Sequence, residues 1–517
     1  MNLNPDTTIY AAVRKDLYRY EIHALLKAFF PSREVKVLLL DENGACAGIR
    51  KDRMPLFYLT VDYADDAVAV TLRQRGGSLR TVRQERKDGD PPCDMKAPST
   101  KDALKDLLYH LLCEETGRTL PWGELIGIRP TKLAVRELAA GGTVPEAARY
   151  LEERHFVSAE KALLAAQIAQ RERALLKRLY KPGAFSLYVG IPFCPTTCFY
   201  CTFPSNALHI WQDRVEEYLG VLYREIDAAA DYMRGGIPDT VYIGGGTPTT
   251  LTASQLDKLL TKIERTFPSA YGEYTVEAGR PDTITSEKLD CIRAHGVTRI
   301  SINPQTMKEA TLRSMGRGHT PAQIIDAFCL ARERGFDNIN MDMILGLPGE
   351  SAEDVGRTVA QIERLGPESL TVHALAVKKG SKLLEMLQKE QAAQETGTDI
   401  STALMRGDFA AAMAEEMTKK AAEGARRMGM LPYYLYRQKN ITGNFENIGY
   451  AVPGKEGLYN MLIIEEVQDI VALGAGAISK HLYGGGKLCR CENARDVAYY
   501  IANIEEMIDR KRALFAL

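Results

Sequence analysis

The chain has 517 residues, of which 66 are Lys or Arg and 67 are Asp or Glu, so its formal net charge is −1. Apolar residues make up 45% and charged residues 26%, which is typical of a globular protein and excludes a disordered or collagen-like chain. No apolar run could span a bilayer, no signal peptide is recognised, and ten cysteines are too few for a secreted disulfide scaffold. We therefore expect a cytoplasmic protein without a membrane partner, and the balanced charge makes nucleic acid an unexpected partner.

The first segment, residues 1–181, is predicted to form an N-terminal α+β domain. Strand patterns occur at 35–40, 56–61, 67–73 and 78–85, and the last two flank a Gly-Gly-Ser turn as a hairpin would. Apolar residues three and four apart predict helices over 101–116 and 144–180. The predicted hairpin carries a cluster of arginines: Arg73, Arg75, Arg80, Arg83 and Arg86. A solvated strand face explains this cluster, and an anion or nucleic-acid surface is the alternative.

The second segment, residues 182–385, alternates strand and helix patterns. Strands are predicted at 186–192, 240–243, 273–277, 299–302, 338–344 and 370–374. Helices are predicted between them at 211–233, 254–266, 286–295, 321–334 and 352–365. This alternation indicates βαβ units and a parallel sheet. Six units predict an α/β fold with an incomplete (β/α)6 barrel, whose functional residues lie just after the strands, at the C-terminal mouth.

The third segment, residues 386–517, is predicted to form a C-terminal accessory domain. A helix is predicted over 408–428 and short strands over 432–438 and 461–467. Glycine-rich stretches follow at 474–476 and 484–486, and an amphipathic helix over 493–514 is expected to close the chain.

Three cysteines, Cys194, Cys198 and Cys201, stand at C-x3-C-x2-C spacing directly after the first predicted barrel strand. Structural zinc normally takes four ligands, often as two pairs, and no second pair follows at suitable spacing. Four cysteines normally hold a four-iron cluster, so three would leave one iron open to an exogenous ligand. The spacing therefore predicts a [4Fe–4S] cluster. Cys291 and Cys329 lie among apolar helix positions and are predicted to be buried core thiols.

Further residues suited to ligand binding follow the other predicted strands. The glycine run 244–246, followed by Thr247, would let the backbone approach a ligand closely with N–H groups available. Glu277 ends the third strand, Gln305 follows the fourth, and Asp342 lies near the end of the fifth. Arg317 lies in a Gly-Arg-Gly-His stretch. Because the C-terminal ends of parallel strands meet at one rim, these groups indicate one shared site.

These motifs, in this order, resemble the radical S-adenosylmethionine (SAM) superfamily and, within it, the oxygen-independent coproporphyrinogen III oxidase family. The resemblance implies a [4Fe–4S] cluster whose open iron binds SAM and splits it to give a 5′-deoxyadenosyl radical. It also implies the following SAM contacts: Tyr188, Tyr200, Gly245, Gly246, Thr247, Glu277, Gln305, Arg317, Asp342 and Ala376. Segments 127–132 and 433–440 resemble the HemZ-type branch of coproporphyrinogen dehydrogenases, so the resemblance covers most of the chain.

The resemblance further implies oxidative decarboxylation of coproporphyrinogen III propionates toward protoporphyrinogen IX in haem biosynthesis, with an electron donor such as flavodoxin or ferredoxin. A tetrapyrrole with four carboxylates requires fixed cations. Arg437 and Lys439, beside three tyrosines, are candidates, as is Arg129, and no catalytic residue is assigned. Gly190 departs from the family pattern, in which the better-known enzymes have histidine. The alternatives are a haem chaperone of the same superfamily, or another radical SAM reaction on a tetrapyrrole or RNA.

Overall fold

The computed structural model describes residues 8–31, 33–40, 57–74, 79–127, 129–179, 183–233, 236–268, 271–376, 383, 385, 407–437, 446–483 and 487–516. The chain divides into two compact units. One contains residues 1–167 with the short segments 405–411 and 442–444, and the other contains 168–404, 412–441 and 445–517. The division into three domains at 181/182 and 385/386 stays a prediction.

The first unit contains a five-stranded sheet with the strand order β2-β1-β3-β4-β5. Its strands are β1 (Thr8–Val13), β2 (Glu34–Leu39), β3 (Phe57–Tyr63), β4 (Ala67–Gln74) and β5 (Leu79–Glu85). β1 pairs in parallel with β2 and β3, whereas β3, β4 and β5 pair antiparallel, so the predicted hairpin pairing is confirmed. Two of the clustered arginines are ion-paired at the surface, Arg83 with Asp66 at 2.5 Å and Arg80 with Glu115 at 3.3 Å. This pairing agrees with a solvated strand face.

Helices complete the first unit and lead out of it. They are α1 (Arg19–Phe29), α2 (Pro98–Thr116), α3 (Thr131–Ala139), α4 (Val144–His155) and α5 (Ala159–Leu179), of which α5 continues into the second unit. β1, α1 and α3 were not predicted from the sequence. The single helix predicted over 144–180 is wrong, because Phe156 adopts a left-handed conformation with φ of 57° and ends α4.

The second unit contains the predicted parallel strands. They are β6 (Phe185–Ile191), β9 (Pro238–Gly245), β10 (Glu273–Gly279), β11 (Arg299–Ile302), β12 (Ile339–Leu345) and β13 (Ser369–Ala374), with the short β7 (Phe193–Cys194) and β8 (Asn206–Ala207) after β6. The six long strands are neighbours in that order and all parallel. These parallel strands are almost fully buried, and this is why their sequences are mostly apolar. The predicted partial (β/α)6 barrel is confirmed.

Five of the barrel helices lie close to their predicted positions, and the two short helices Leu208–Trp211 and Glu309–Ser314 were not predicted. The barrel helices are α6 (Leu208–Trp211), α7 (Val215–Tyr232), α8 (Ala253–Thr266), α9 (Ser286–Ala294), α10 (Glu309–Ser314), α11 (Pro321–Glu333) and α12 (Ala352–Leu365). Cys291 on α9 is only partly buried and Cys329 on α11 is exposed, so their prediction as buried core thiols is wrong. On α11 the core face consists of Ile324, Ala327, Phe328 and Ala331. Cys329 lies on the opposite face.

The C-terminal segment extends the barrel sheet at both edges. Its strands are β14 (Leu431–Arg437), β15 (Glu446–Ala451), β16 (Asp469–Leu473), β17 (Ile478–Tyr483) and β18 (Lys487–Glu492). β15 pairs antiparallel with β13 and with β14 at one edge. At the other edge β16 pairs in parallel with β6 and is followed by β17 and β18. Eleven strands therefore form one sheet across the barrel and the C-terminal segment.

The helices of this segment are α13 (Gly407–Arg427), α14 (Leu458–Glu465), α15 (Val497–Ala502) and α16 (Ile504–Phe515). The strand predicted over 461–467 is wrong, because a short apolar run is compatible with either structure and tertiary contacts decide. The Glu273 carboxylate accepts hydrogen bonds from the backbone N–H groups of Leu458 at 2.5 Å and Tyr459 at 3.3 Å, which caps α14. The closing helix predicted over 493–514 is interrupted at Asn503. Among the described residues, no helix combines the length and apolar character that crossing a membrane requires.

Candidate functional site

The three cysteines lie on a loop that follows β6 at the C-terminal mouth of the barrel. Cys194 and Cys198 are buried and Cys201 is partly buried. Burial raises the pKa of the Cys194 thiol to about 11, and burial also raises the pKa of Cys201. These thiols are therefore protonated until a metal replaces their protons, as expected for ligands enclosed within the protein.

The spread of the three sulfur atoms fits a cluster better than a single ion. In the part of the chain that the structure describes, one group of three His, Cys, Asp or Glu ligand atoms lies mutually within 4.8 Å, and it consists of Asp257, Cys291 and His295. The three loop thiols do not form such a group. A tetrahedral zinc site, with Zn–S bonds of about 2.3 Å, would bring its sulfurs to about 3.8 Å from each other. Iron–sulfur clusters attach each thiolate to a different iron.

A buried arginine anchors the loop between the first two cysteines. Arg280, which directly follows β10, is 3% exposed and donates hydrogen bonds from Nη1 to Oγ1 of Thr196 at 2.7 Å and to its carbonyl oxygen at 3.3 Å. Its other nitrogens bind both carboxylate oxygens of Asp282, at 2.9 and 2.6 Å. Thr196 Oγ1 in turn donates to the Gly316 carbonyl oxygen at 2.6 Å. Arg280 was not predicted as a site residue, because its only sequence signal is its place after a predicted strand.

The glycine run lies directly against the start of the cysteine loop. The N–H of Gly246 donates to the Ile191 carbonyl oxygen, and that of Thr247 to the Phe193 carbonyl oxygen, both at 2.8 Å. These two N–H groups are therefore occupied by the loop and are not available to a ligand. A Cβ atom on Gly246 would lie 2.6 Å from the Phe193 carbonyl oxygen, so this close approach requires glycine. The Cys194 sulfur lies 3.5 Å from Oγ1 of Thr247.

Glu277 lies at the mouth end of β10 beside a group of tyrosines. Burial raises its pKa to about 7; a hydrogen bond from the Tyr242 hydroxyl lowers the pKa, and the charge of Asp342 raises it. The Tyr242 ring stacks on Tyr188 and Tyr459, with centroid distances of 6.2 and 4.5 Å. Tyr242 and Tyr459 were not predicted as site residues. Tyr242 lies within β9, on the barrel's inner face, whereas the predicted site residues follow the strands. Tyr459 belongs to α14, most of which was predicted as a strand.

Gln305 and Asp342 are joined across adjacent strands. The Gln305 N–H donates to the Asp342 carbonyl oxygen at 2.9 Å, and Gln305 is a non-glycine residue with φ of 65°. Such a strained conformation is retained where the surroundings demand it, often at functional sites. Although burial opposes ionisation, the His373 ring, with Nε2 3.9 Å from Oδ2 of Asp342, and a hydrogen bond from Asn340 hold the pKa of Asp342 below its usual value. Asp342 is therefore a partly buried, ionised carboxylate at the mouth.

Two buried acceptor atoms at this mouth have no hydrogen-bond partner among the described residues. Oε1 of Gln305 and Oδ1 of Asn303 are enclosed and accept no hydrogen bond from any described residue. Buried polar atoms are nearly always paired, so such atoms indicate a bound group that carries donors. The ammonium and ribose hydroxyl groups of SAM are donors of this kind. The residues present therefore fit SAM.

A buried cation lies next to the cysteine loop. Arg317 is 7% exposed and donates from Nη1 to the Asn303 carbonyl oxygen at 2.6 Å. Burial disfavours its charge, but the Tyr200 hydroxyl and the Cys198 sulfur outweigh burial and raise its pKa above the usual value. Burial also raises the pKa of Tyr200. A fixed positive charge beside a cluster favours its reduced, more negative state.

The remaining predicted site residues have separate outcomes. Ala376 follows β13 at the mouth. Arg437 is 3% exposed at the end of β14, opposite Glu446 in the antiparallel register. Since β15 is antiparallel to both β13 and β14, the end of β14 lies at the same mouth. Lys439 lies outside the described residues, and Arg129 belongs to the first unit.

The position of Gly190 explains how the chain accommodates its departure from the family pattern. A Cβ atom on Gly190 would lie 3.3 Å from the Leu473 carbonyl oxygen and 3.4 Å from the Tyr188 ring. The Tyr218 hydroxyl donates to the Gly190 carbonyl oxygen at 2.6 Å. The space beside Gly190 is therefore occupied by the Tyr188 ring and by the end of β16.

Comparisons with known proteins show to which family the chain is related. A model of the Radical SAM superfamily matches residues 188–362. The chain is 38% identical over 489 residues to the oxygen-independent coproporphyrinogen-III oxidase-like protein HemZ of Bacillus subtilis, which covers 93% of this chain and 94% of that protein. It is 38% identical over 209 residues to the heme chaperone HemW of the same organism, which covers 40% of this chain and 54% of HemW.

Among solved structures, coproporphyrinogen III oxidase (HemN) from Escherichia coli matches with a TM-score of 0.48 and 24% identity, over 65% of this chain and 73% of that chain. Radical SAM proteins use a [4Fe–4S] cluster and SAM, and the cysteine loop and mouth described above fit both. On the strength of the full-length relationship, the chain belongs to the radical SAM superfamily and, within it, to the family of HemZ-like, oxygen-independent coproporphyrinogen-III oxidase-like proteins.

Proposed function

We propose that this protein is a radical SAM oxidoreductase that decarboxylates the propionate side chains of coproporphyrinogen III toward protoporphyrinogen IX without oxygen. The observation that carries the proposal is the 38% identity to the HemZ oxidase-like protein over 93% of the chain. That similarity spans both units, whereas the similarity to the chaperone covers 40% of the chain. The cysteine loop and the buried polar groups at the barrel mouth fit the cluster and the SAM that this reaction uses.

When bound, the [4Fe–4S] cluster supplies the electron that cleaves SAM, and SAM supplies the group that takes a hydrogen atom from the propionate. Cys194, Cys198 and Cys201 would hold three irons and leave the fourth open. Glu277 and Asp342, both partly buried at the mouth, would accept hydrogen bonds from donor groups of SAM. Gln305 Oε1 would accept another, which would satisfy its buried oxygen.

The substrate side of the mouth is proposed to lie along β14. Its C-terminal end reaches the mouth, and the Tyr434 and Tyr436 rings stack on one face with centroids 6.3 Å apart. We assign Arg437 and Lys439 to binding of the tetrapyrrole carboxylates. We expect the electron donor of the cluster to be a flavodoxin or ferredoxin. Arg437→Ala should then weaken binding of the porphyrinogen while SAM cleavage is largely retained. Equal loss of both activities would contradict this role.

The decisive experiment is anaerobic reconstitution with iron and sulfide, followed by SAM, a chemical reductant and coproporphyrinogen III. The proposal expects 5′-deoxyadenosine, together with a product that has lost one carbon dioxide and two hydrogen atoms per converted propionate. Cys198→Ala should abolish both products. Cys329→Ala, a substitution of an exposed cysteine on α11, is the matched control and should leave both unchanged.

Haem binding is the second candidate function, favoured by the 38% identity to the chaperone HemW over 209 residues of this chain. The two functions make opposite predictions. A chaperone would bind haem stably, visible as a Soret band that migrates with the protein, and would not decarboxylate coproporphyrinogen III. Stable haem binding combined with an unchanged porphyrinogen, in a preparation that cleaves SAM, would replace the oxidase proposal with this one.

A further inference from the structure

Two neighbouring helices on the outside of the barrel bring together a cysteine, a histidine and two carboxylates. Asp257 and Glu264 lie two turns apart on α8, while Cys291 lies on α9 and His295 one turn later, at its C-terminal cap. Ligand atoms of Asp257, Cys291 and His295 all lie within 4.8 Å of one another. Residues four apart share a helix face, so Cys291 and His295 point toward α8 together.

The histidine is held between the two carboxylates. Its Nε2 lies 3.0 Å from Oδ1 of Asp257, and its Nδ1 lies 2.9 Å from Oε1 of Glu264. The His295 side chain is 12% exposed. Ion pairing alone would explain the two carboxylates, but it does not explain a thiol within reach of the same point. Metal-binding histidines almost always donate their second ring N–H to a carboxylate, a backbone carbonyl or a water, and Nδ1 of His295 can donate to Glu264 in this way.

We propose that Asp257, the Cys291 thiolate and Nε2 of His295 bind one zinc ion, with Glu264 orienting the imidazole. A carboxylate, a thiolate and a neutral imidazole carry two negative charges, which balance Zn²⁺. One sulfur and one imidazole nitrogen favour zinc over magnesium or calcium, which prefer oxygen ligands only. Three protein ligands leave a fourth tetrahedral position for water.

The proposed zinc site is separate from the cysteine loop. Cys291 Sγ lies 3.5 Å from the carbonyl oxygen of Ala253, the first residue of α8, and His295 lies four residues before β11, so the site lies between α8 and α9. The cysteine loop follows β6 and so belongs to a different βα unit. A metal ion between α8 and α9 would link two successive βα units. The proposal stands independently of the reaction at the mouth.

The test uses the full chain with its iron cluster, given one equivalent of Zn²⁺ under anaerobic conditions. X-ray absorption at the zinc edge does not detect iron, so it reports the zinc ligands alone. We expect one sulfur at about 2.3 Å and nitrogen or oxygen ligands at about 2.0–2.2 Å. Three sulfurs in the first shell would place the zinc at the cysteine loop and overturn the proposal.

Substitutions at Cys291 and Glu264 test whether these residues bind the zinc. The zinc affinity of each variant is measured by competition with a chromophoric zinc chelator. Cys291→Ser should remove the sulfur signal and weaken zinc binding at least tenfold. Glu264→Gln should keep the zinc–sulfur signal and weaken binding by about 10–100-fold, since it removes only the outer partner. Cys329→Ser, on the neighbouring α11, should change neither. Zinc binding that is equal in Cys291→Ser and the natural chain, or that appears only at millimolar zinc, would refute the site.

Discussion

The hydroxyl group of Tyr242 donates a hydrogen bond to the carboxylate of Glu277 between neighbouring strands of the barrel. Burial raises the Glu277 pKa from 4.5 to about 7, and this hydrogen bond limits the rise. Protonation of Glu277 therefore depends on Tyr242. The consequence is a pH dependence both of folding and of the binding proposed for this carboxylate.

Glu277 should make the protein less stable as pH rises from about 4.5 to 7. In this window the unfolded chain has already released the proton that the folded chain still binds, so the free energy of unfolding falls with pH. The full shift corresponds to at most about 3 kcal/mol. Glu277→Gln should flatten this slope in denaturant titrations without SAM. An unchanged slope would show that Glu277 has an ordinary pKa.

Tyr242→Phe should weaken SAM binding at pH 7 and shift its pH dependence upward. The substitution removes a hydrogen bond that favours the ionised carboxylate, so less Glu277 is ionised at neutral pH. A loss of about 0.5–1.5 kcal/mol, or roughly twofold to tenfold in affinity, is expected. Binding should recover at higher pH, as calorimetry would show. Tyr271→Phe, outside the barrel mouth, serves as the control, and a pH-independent loss would contradict the mechanism.

Arg280→Gln should loosen the cysteine loop. It removes the hydrogen bonds to Thr196 and leaves Asp282, 23% exposed, without its cation. Breaking such a buried pair costs about 3–5 kcal/mol of unfolding free energy. Iron should be lost to a chelator faster than from the natural chain. Arg313→Gln, whose side chain is 76% exposed, should behave like the natural chain. Equal iron release from both variants would remove Arg280 from loop positioning.

Gly246→Ala should prevent the cysteine loop from packing and so lower the iron content per chain. The added methyl group would lie 2.6 Å from the Phe193 carbonyl oxygen, which belongs to backbone and cannot move away alone. Gly220→Ala, in α7, meets no atom within 4 Å and should leave the iron content unchanged. Full iron loading of Gly246→Ala after reconstitution would show that the loop can relax around the methyl group.

Lys511→Met should destabilise the second unit strongly. Lys511 and Glu225 are both fully buried, with Nζ and Oε1 2.5 Å apart. Glu225 also accepts hydrogen bonds from Tyr500 at 2.6 Å and from the Gly474 N–H at 2.8 Å. Loss of the cation should cost about 3–5 kcal/mol, measured by urea denaturation. Arg512→Met, on the adjacent exposed position, should cost less than about 1 kcal/mol. Comparable losses would contradict the structural role of the pair.

The barrel was predictable because its signals are local. Each strand is a short apolar run followed by a helical period, and parallel strands direct their ends to one mouth. From that rule alone, the sequence predicts that Glu277, Gln305 and Asp342 lie at one rim of the barrel. The structure adds how they are joined, such as the backbone hydrogen bond from Gln305 to Asp342.

What escaped prediction depends on contacts between residues far apart in sequence. The cap of α14 comes from Glu273, almost two hundred residues earlier, and it turns an apolar run into a helix. Arg280 gains its role from Thr196, 84 residues away. β16 pairs with β6 across nearly three hundred residues. Neither residue spacing nor composition reports such partners.

The attachment of the C-terminal strands to both edges of the barrel makes that barrel unsuitable for isolation. A recombinant fragment ending at residue 385 would leave the backbone groups of β6 and β13 unpaired along two open edges. Open edges of this kind recruit strands from other molecules. Such a fragment should precipitate or self-associate during expression, so work on the isolated catalytic core requires the whole polypeptide from β6 to α16.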